Sequence, residues 1–150
     1  MKVFFGSDHA GFELKNALLS FVRDTLGNEV EDCGPVTLDV EDDYPDTVRP
    51  AVLRVSERPD EYRGIILGAS GQGEAIVANR VKGIRAVVYY GGPSEIVTLS
   101  REHNDANVLS LGARFLREDE AKETVRLWLQ TPFSNEVRHL RRIEKIDSEG

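Results

Sequence analysis

Cysteine is nearly missing from this chain of 150 residues: Cys33 stands alone, so no internal disulfide can form and no thiolate metal cluster can be built. Long apolar runs are missing too, and none reaches the length that crosses a bilayer. Met1-Lys2-Val3-Phe4-Phe5-Gly6 leads into a strand-like segment instead of a signal peptide, so a cytoplasmic protein without membrane contact is expected. Basic residues are outnumbered, with 19 Lys and Arg against 26 Asp and Glu. The net charge of −7 argues against nucleic acid or anionic membrane as a partner. The histidines, His9, His103 and His139, lack the i, i+3 or i, i+4 pairing of a metal site, so none is expected. Neither a repeat nor a low-complexity segment is present.

What is there suits one domain, since 150 residues at 40% hydrophobic content fill one core better than two. Short apolar runs alternate with amphipathic ones. Strands are expected at Val3–Gly6, Glu29–Asp32, Ile65–Leu67, Ala86–Val88 and Val108–Leu111. Helices are expected at Gly11–Leu26, with Phe12, Leu14, Ala17, Leu18, Phe21 and Val22 as its buried stripe, and at Thr47–Ser56, with Pro50 in the first turn. Further helices are expected at Gly73–Asn79, from a Ser94 cap to about Glu102, at Glu118–Leu129 and at Glu136–Ile146. Five alternations of nearly all-apolar strands with helices predict an α/β fold: a three-layer α/β/α sandwich on a five-stranded parallel, Rossmann-like sheet. Ligands in such folds bind at the carboxyl ends of the strands.

The densest signal is Gly64 to Asn79, a buried strand breaking into the loop Gly68-Ala69-Ser70-Gly71-Gln72-Gly73 and then a helix with Glu74 in its first turn. Backbone N–H groups at such a turn converge on one small space and can hold an oxyanion or a phosphate. A carboxylate beside an anion hole is equipment for moving a proton next to a carbonyl. The loop lacks the third glycine of a dinucleotide fingerprint, and Glu74-Ala75 stands where a P-loop carries Lys-Ser/Thr, so no nucleotide cofactor is expected. A plain tight turn, with Glu74 complementing the helix dipole, is the competing reading. Asp8 and His9 end the first strand, where Asp8 also reads as a helix cap, and His103 and Asn104 lie in a polar run before the last strand. Arg138 and Arg142, four apart on a helix, share a side and can grip phosphate, while a merely solvated face is the alternative.

Ser7-Asp8-His9-Ala10-Gly11-Phe12, Asp43-Tyr44-Pro45, Gly68 to Gly73, Ala78-Asn79-Arg80, Gly83-Ile84-Arg85-Ala86, His103 to Leu109, Leu111-Gly112-Ala113-Arg114 and Arg138-His139 occur in order. This combination resembles the ribose-5-phosphate isomerase B family, which includes the galactose-6-phosphate isomerase subunits, from Lys2 to about Ile146. The resemblance implies a metal-free aldose–ketose isomerase of a phosphorylated sugar, working through an enediolate without a cofactor. It also implies a homodimer, or a tetramer, with shared sites in which the basic helix at about 136–146 reaches the partner subunit. By the same resemblance Asp8, His9 and His103 handle the sugar, His103 helping to open its ring, and Tyr44 lies over it. Gly68, Gly71 and Gly73 form the anion loop with Ser70, Asn104 contacts hydroxyls, Arg114, Arg138 and Arg142 hold phosphate, and His139 lies near it. Many members carry a cysteine base where this chain has Gly68; another branch uses a glutamate at the start of the next helix, and Glu74 stands there. Ribose 5-phosphate is the expected substrate. A six-carbon aldose phosphate (galactose 6-phosphate or allose 6-phosphate) and a non-catalytic sugar-phosphate binding module are the alternatives.

Overall fold

A computed structural model describes residues 1–148. Five strands, β1 (Lys2–Ser7), β2 (Glu29–Asp32), β3 (Tyr62–Gly68), β4 (Ala86–Tyr89) and β5 (Val108–Gly112), form one parallel sheet in the order β2-β1-β3-β5-β4. Its strands alternate between two apolar layers, as a period of two requires of a sheet covered on both faces. Val3, Phe5, Ile65, Leu67, Leu109 and Leu111 pack on one face with Leu18, Val22, Val97, Val125 and Trp128. Phe4, Ile66 and Val108 pack on the other with Val48, Val52, Val55 and Ala78. These outer residues belong to α1 (Phe12–Ser20) and the turn after it, α4 (Glu95–Asn104) and α5 (Glu118–Gln130) on the first face, and α2 (Tyr44–Ser56) and α3 (Gln72–Ala78) on the second. The last helix, α6 (Val137–Ser148), packs against α4. The three-layer sandwich expected from sequence is therefore what forms. The strand order turns back between β1 and β3, which puts the ligand-binding crevice at the ends of those two strands.

Several local expectations are corrected. The first helix is not uniform: His9–Gly11 is a 3₁₀ turn, and Phe21–Thr25 winds wider, with Leu26 N–H donating to the Phe21 carbonyl at 3.1 Å. Of the expected stripe only Leu18 and Val22 are fully buried, while Phe12, Leu14, Ala17 and Phe21 are half-buried. Lys15 joins them inside, because its ammonium donates to both Asp32 oxygens at 2.8 and 2.7 Å and to the Pro35 carbonyl at 3.2 Å. The second helix begins at Tyr44, earlier than Thr47, since Pro45 suits a first turn where no N–H is needed. Pro50 then falls in the helix interior, on the helix's exposed face. Ser94 occupies the cap position of α4 but its side chain makes no capping bond. No described helix is long and apolar enough to cross a membrane.

Lys15→Ala removes a fully buried side chain and its bonds to Asp32, which itself stays open to water and still accepts the Gly34 N–H at 3.0 Å, so a loss of about 2 kcal/mol, chiefly from lost packing, is expected in urea unfolding. Lys15→Met, which keeps the packing, should recover most of that loss, because Asp32 remains hydrated and bonded to Gly34 N–H.

Candidate active site

The loop between β3 and α3 is fixed by the end of β5. Ala113 N–H donates to the Gly68 carbonyl at 2.8 Å, Arg114 N–H to Ala69 at 3.1 Å, and the Ser110 hydroxyl to Gly71 at 2.6 Å. Gly71 sits at φ +80°, where an L side chain is strained, and its αL turn aims the start of α3 at the crevice. The first N–H groups of a helix have no intrahelical acceptor; here they belong to Gly71, Gln72, Gly73 and Glu74, of which Gln72 N–H is taken by Ser70 Oγ at 3.3 Å. Ser70 thus caps the turn and keeps its hydroxyl hydrogen for a ligand.

Gly68 matters for what it leaves out. A Cβ there would fall inside the Glu74 carboxylate, so that carboxylate occupies the place a side chain at the end of β3 would fill. Glu74 is 4% exposed. Burial, and then the nearby Asp8 charge, raise its pKa above the usual carboxylate value, and its own backbone N–H pulls the other way. Asp8 caps the 3₁₀ turn through a bond from Gly11 N–H at 3.1 Å, so the capping reading holds, and its position directly after β1 sets it beside the crevice. The Tyr44 ring lies against Gly73, within 2.6 Å of where a Cβ would stand.

His9 bonds through Nδ1 to Asp42 Oδ1 at 2.7 Å, which raises its pKa; Asp8 adds to the rise and Arg114 opposes it. Asp8, His9 and Asp42 place possible ligand atoms within 4.8 Å of one another, a grouping the histidine spacing gave no hint of. Of these, His9 and Asp42 are joined by the Nδ1–Oδ1 hydrogen bond, while Asp8 is engaged by Gly11 N–H. Cys33 follows β2, its backbone N–H on the Phe5 carbonyl at 2.8 Å, and its thiol is pushed up to about 11 by burial and by Glu31.

The sequence-predicted residues fall into two groups. Asp8, His9, Tyr44, Gly68, Ser70, Gly71, Gly73, Glu74 and Arg114 gather at the carboxyl edge of the sheet. His103 and Asn104 end α4, just before β5 begins, so they lie at the opposite edge, the length of a five-residue strand away or about 16 Å. Arg138, His139 and Arg142 accompany them on α6. His139 does not share the exposed face of Arg138 and Arg142: it is 2% exposed and its ring stacks on His103 at 4.2 Å. Burial, His103 and Arg138 hold its pKa below the ordinary imidazole value.

Sequence reasoning passed over Asp42, hidden in the acidic run Glu41–Asp43, and over the brace that shapes the turn after α4. Asp105 takes a left-handed φ of 44°, gripped by Arg101 at 2.7 Å and Arg85 at 3.3 Å. Arg85 also donates to the Asn104 carbonyl at 2.9 Å. An Asp at the end of a helix pattern, four residues after Arg101, was the available signal.

Comparison with known proteins meets this geometry. A family profile described as Ribose/Galactose Isomerase matches residues 3–146. Ribose-5-phosphate isomerase B of Mycolicibacterium paratuberculosis is 41% identical over 144 residues, 96% of this chain and 88% of that protein. A putative sugar phosphate isomerase of Bacillus subtilis is 38% identical over 149 residues, covering 97% and 95%. The crystal structure of ribose-5-phosphate isomerase B from Mycoplasma genitalium with bound ribulose-5-phosphate superposes with a TM-score of 0.93 at 34% identity, covering 99% of this chain and 95% of that one.

A buried carboxylate with a raised pKa holds its proton to higher pH in the fold than in the unfolded chain. Its ionisation therefore costs stability, absent below the unfolded value and fully present above the folded one. Glu74→Gln should accordingly melt at a higher temperature than native at neutral pH, and the difference should vanish by about pH 4. Calorimetry across that range checks it.

Proposed function

The chain belongs to the ribose/galactose isomerase family and is an enzyme of the ribose-5-phosphate isomerase B kind; from that premise we propose that it interconverts ribose 5-phosphate and ribulose 5-phosphate through an enediolate, with Glu74 as the base. The observation that carries Glu74 is its carboxylate filling the space beside Gly68, under the free N–H groups of the loop. A member with a cysteine at the end of β3 would lack that space, so this chain falls in the glutamate branch.

In this reading the Glu74 carboxylate takes the C2 proton of the open-chain aldose, and the electron pair moves through C1 onto O1. The O1 charge develops against the N–H groups of Gly71 and Gly73 and the Ser70 hydroxyl, which favour it more than the neutral carbonyl. Ser70 and Asp8 pass the O2 proton to O1. Glu74 then returns its proton to C1 while O2 becomes the new carbonyl. The raised pKa of Glu74 suits the task, since a base works best with a pKa near the working pH. Tyr44 lies over the sugar, His9 reaches the sugar phosphate from the end of β1, and Arg114 binds its phosphate.

The remaining groups are proposed to come from a second copy. One chain holds the base at one sheet edge and His103, Asn104, Arg138, His139 and Arg142 at the other, so a two-fold pair, alone or within a tetramer, completes each site with the other's α6. His103 then opens the furanose ring, Asn104 meets hydroxyls, and Arg138 and Arg142 hold phosphate beside His139. Exposed Tyr90 and Phe115, packed edge to face at 5.9 Å, and Val137 on α6 are apolar surface that such pairing removes from water. The domain spans 1–150 as a single isomerase unit, and its lone cysteine suits a cytoplasmic site of action.

Proton NMR of ribose 5-phosphate in heavy water, with a chelator present, should show loss of the C2 proton with appearance of ribulose 5-phosphate. Turnover of galactose 6-phosphate or allose 6-phosphate instead would overturn the five-carbon assignment. Glu74→Gln should lower kcat by at least 10²-fold with substrate binding within a few-fold. Arg142→Ala should weaken phosphorylated sugars about tenfold and leave unphosphorylated ribose unaffected; equal loss for both would overturn the phosphate role.

A further inference from the structure

Asp42 is the member of the acidic run Glu41–Asp43 that the fold withdraws from water. Its side chain is 8% exposed, and both hydrogen bonds it accepts come from His9: the backbone N–H at 3.2 Å and Nδ1 at 2.7 Å, both on Oδ1. Its Oδ2 is buried without a partner. A carboxylate held out of water in this way is compensated far better by a charged, hydrogen-bonded neighbour than by a neutral one. With Nδ1 committed to Asp42, Nε2 is the ring atom left for a ligand. The other charged groups that face the ring are Asp8 at the end of β1 and Arg114 after β5. The Arg114 charge disfavours the His9 imidazolium, and an anion bound at this edge of the crevice relieves that repulsion.

We propose that Asp42 is a positioning residue for the isomerase: it fixes the His9 ring with Nδ1 donating to its carboxylate, so that Nε2 and Arg114 together present donors to the phosphoryl oxygens of the substrate. This rests on the isomerase reading above, and it assigns Asp42 a part that the loop and helix of the anion site do not supply. Such outer partners of a histidine set its tautomer and its basicity.

Asp42→Asn in the full chain tests it by three readouts: the His9 Cε1 proton shift followed by NMR against pH, the response of that shift to inorganic phosphate, and KM and kcat for ribose 5-phosphate against pH. In the variant His9 should lose its proton at lower pH, phosphate should bind about tenfold more weakly, and KM should rise about tenfold with kcat within three-fold, the KM effect growing as pH rises. Asp42→Glu, which keeps the charge, should recover most of the His9 titration. An unmoved titration, together with a KM–pH profile that superposes on the native one, overturns the proposal. Should Asp42→Asn fail to fold, His9→Gln carries the test: it should weaken phosphate by the same factor, and unchanged phosphate binding overturns the proposal. A native protein inert on ribose 5-phosphate whose His9 still responds to phosphate would overturn the isomerase reading and leave the Asp42–His9–phosphate link standing. An active native protein whose His9 ignores phosphate would do the reverse.

Discussion

The carboxylate of Glu74, taken out of water and set against another carboxylate, Asp8, is the constraint that the surrounding structure serves. Left to itself such a group would swing into solvent, because burial and like charge both oppose it. It stays because β3 ends in a residue without a side chain, because α3 starts from a left-handed Gly71, and because three hydrogen bonds from the end of β5 hold the intervening loop. Those bonds depend in turn on β3 and β5 lying side by side in register, Gly68 opposite Gly112. The two apolar layers that clamp the sheet therefore do more than hold the chain folded. They supply the free energy against which an unfavourable carboxylate can be kept in place.

At the other edge a different device does comparable work. The turn from α4 into β5 needs a left-handed residue, and it is Asp105, a residue that tolerates this conformation less well than glycine. Arg101 and Arg85 grip its two oxygens and the neighbouring carbonyls, and Arg101 also ties the turn to the end of α5 through the Thr131 carbonyl at 3.1 Å. The result is a rigid end to α4 on which His103 can meet His139 across α6. Asp42 acts on His9 in the same manner at the carboxyl edge, so both imidazole-bearing edges are set by a carboxylate one step removed.

The sandwich was legible in the sequence because strands buried on both faces must be nearly all apolar, and Ile65-Ile66-Leu67 and Val108–Leu111 are. Gly68 to Glu74 was legible as well, since tight approach and a left-handed turn leave glycine as their trace. Lys15 was not, because a lysine on an apolar stripe reads as an interruption until Asp32 comes beside it. Asp42 escaped for a similar reason: a run of acids looks solvated, and the contact that singles one out joins residues 33 positions apart. The inward turn of His139 was hidden too, as helical spacing places a residue on a face without saying which face the neighbouring helix covers.

Gly68 and Cys33 together have a bearing on chemical hardiness. Electrophiles and peroxides attack proteins chiefly through thiolates, and a thiolate forms readily only where the thiol pKa is low. Here the one thiol is half-buried and its pKa is pushed up to about 11, while the end of β3 carries no sulfur at all. A carboxylate offers such reagents nothing to oxidise. On the proposed assignment of the base to Glu74, turnover would persist under oxidative attack that silences a thiol-dependent counterpart.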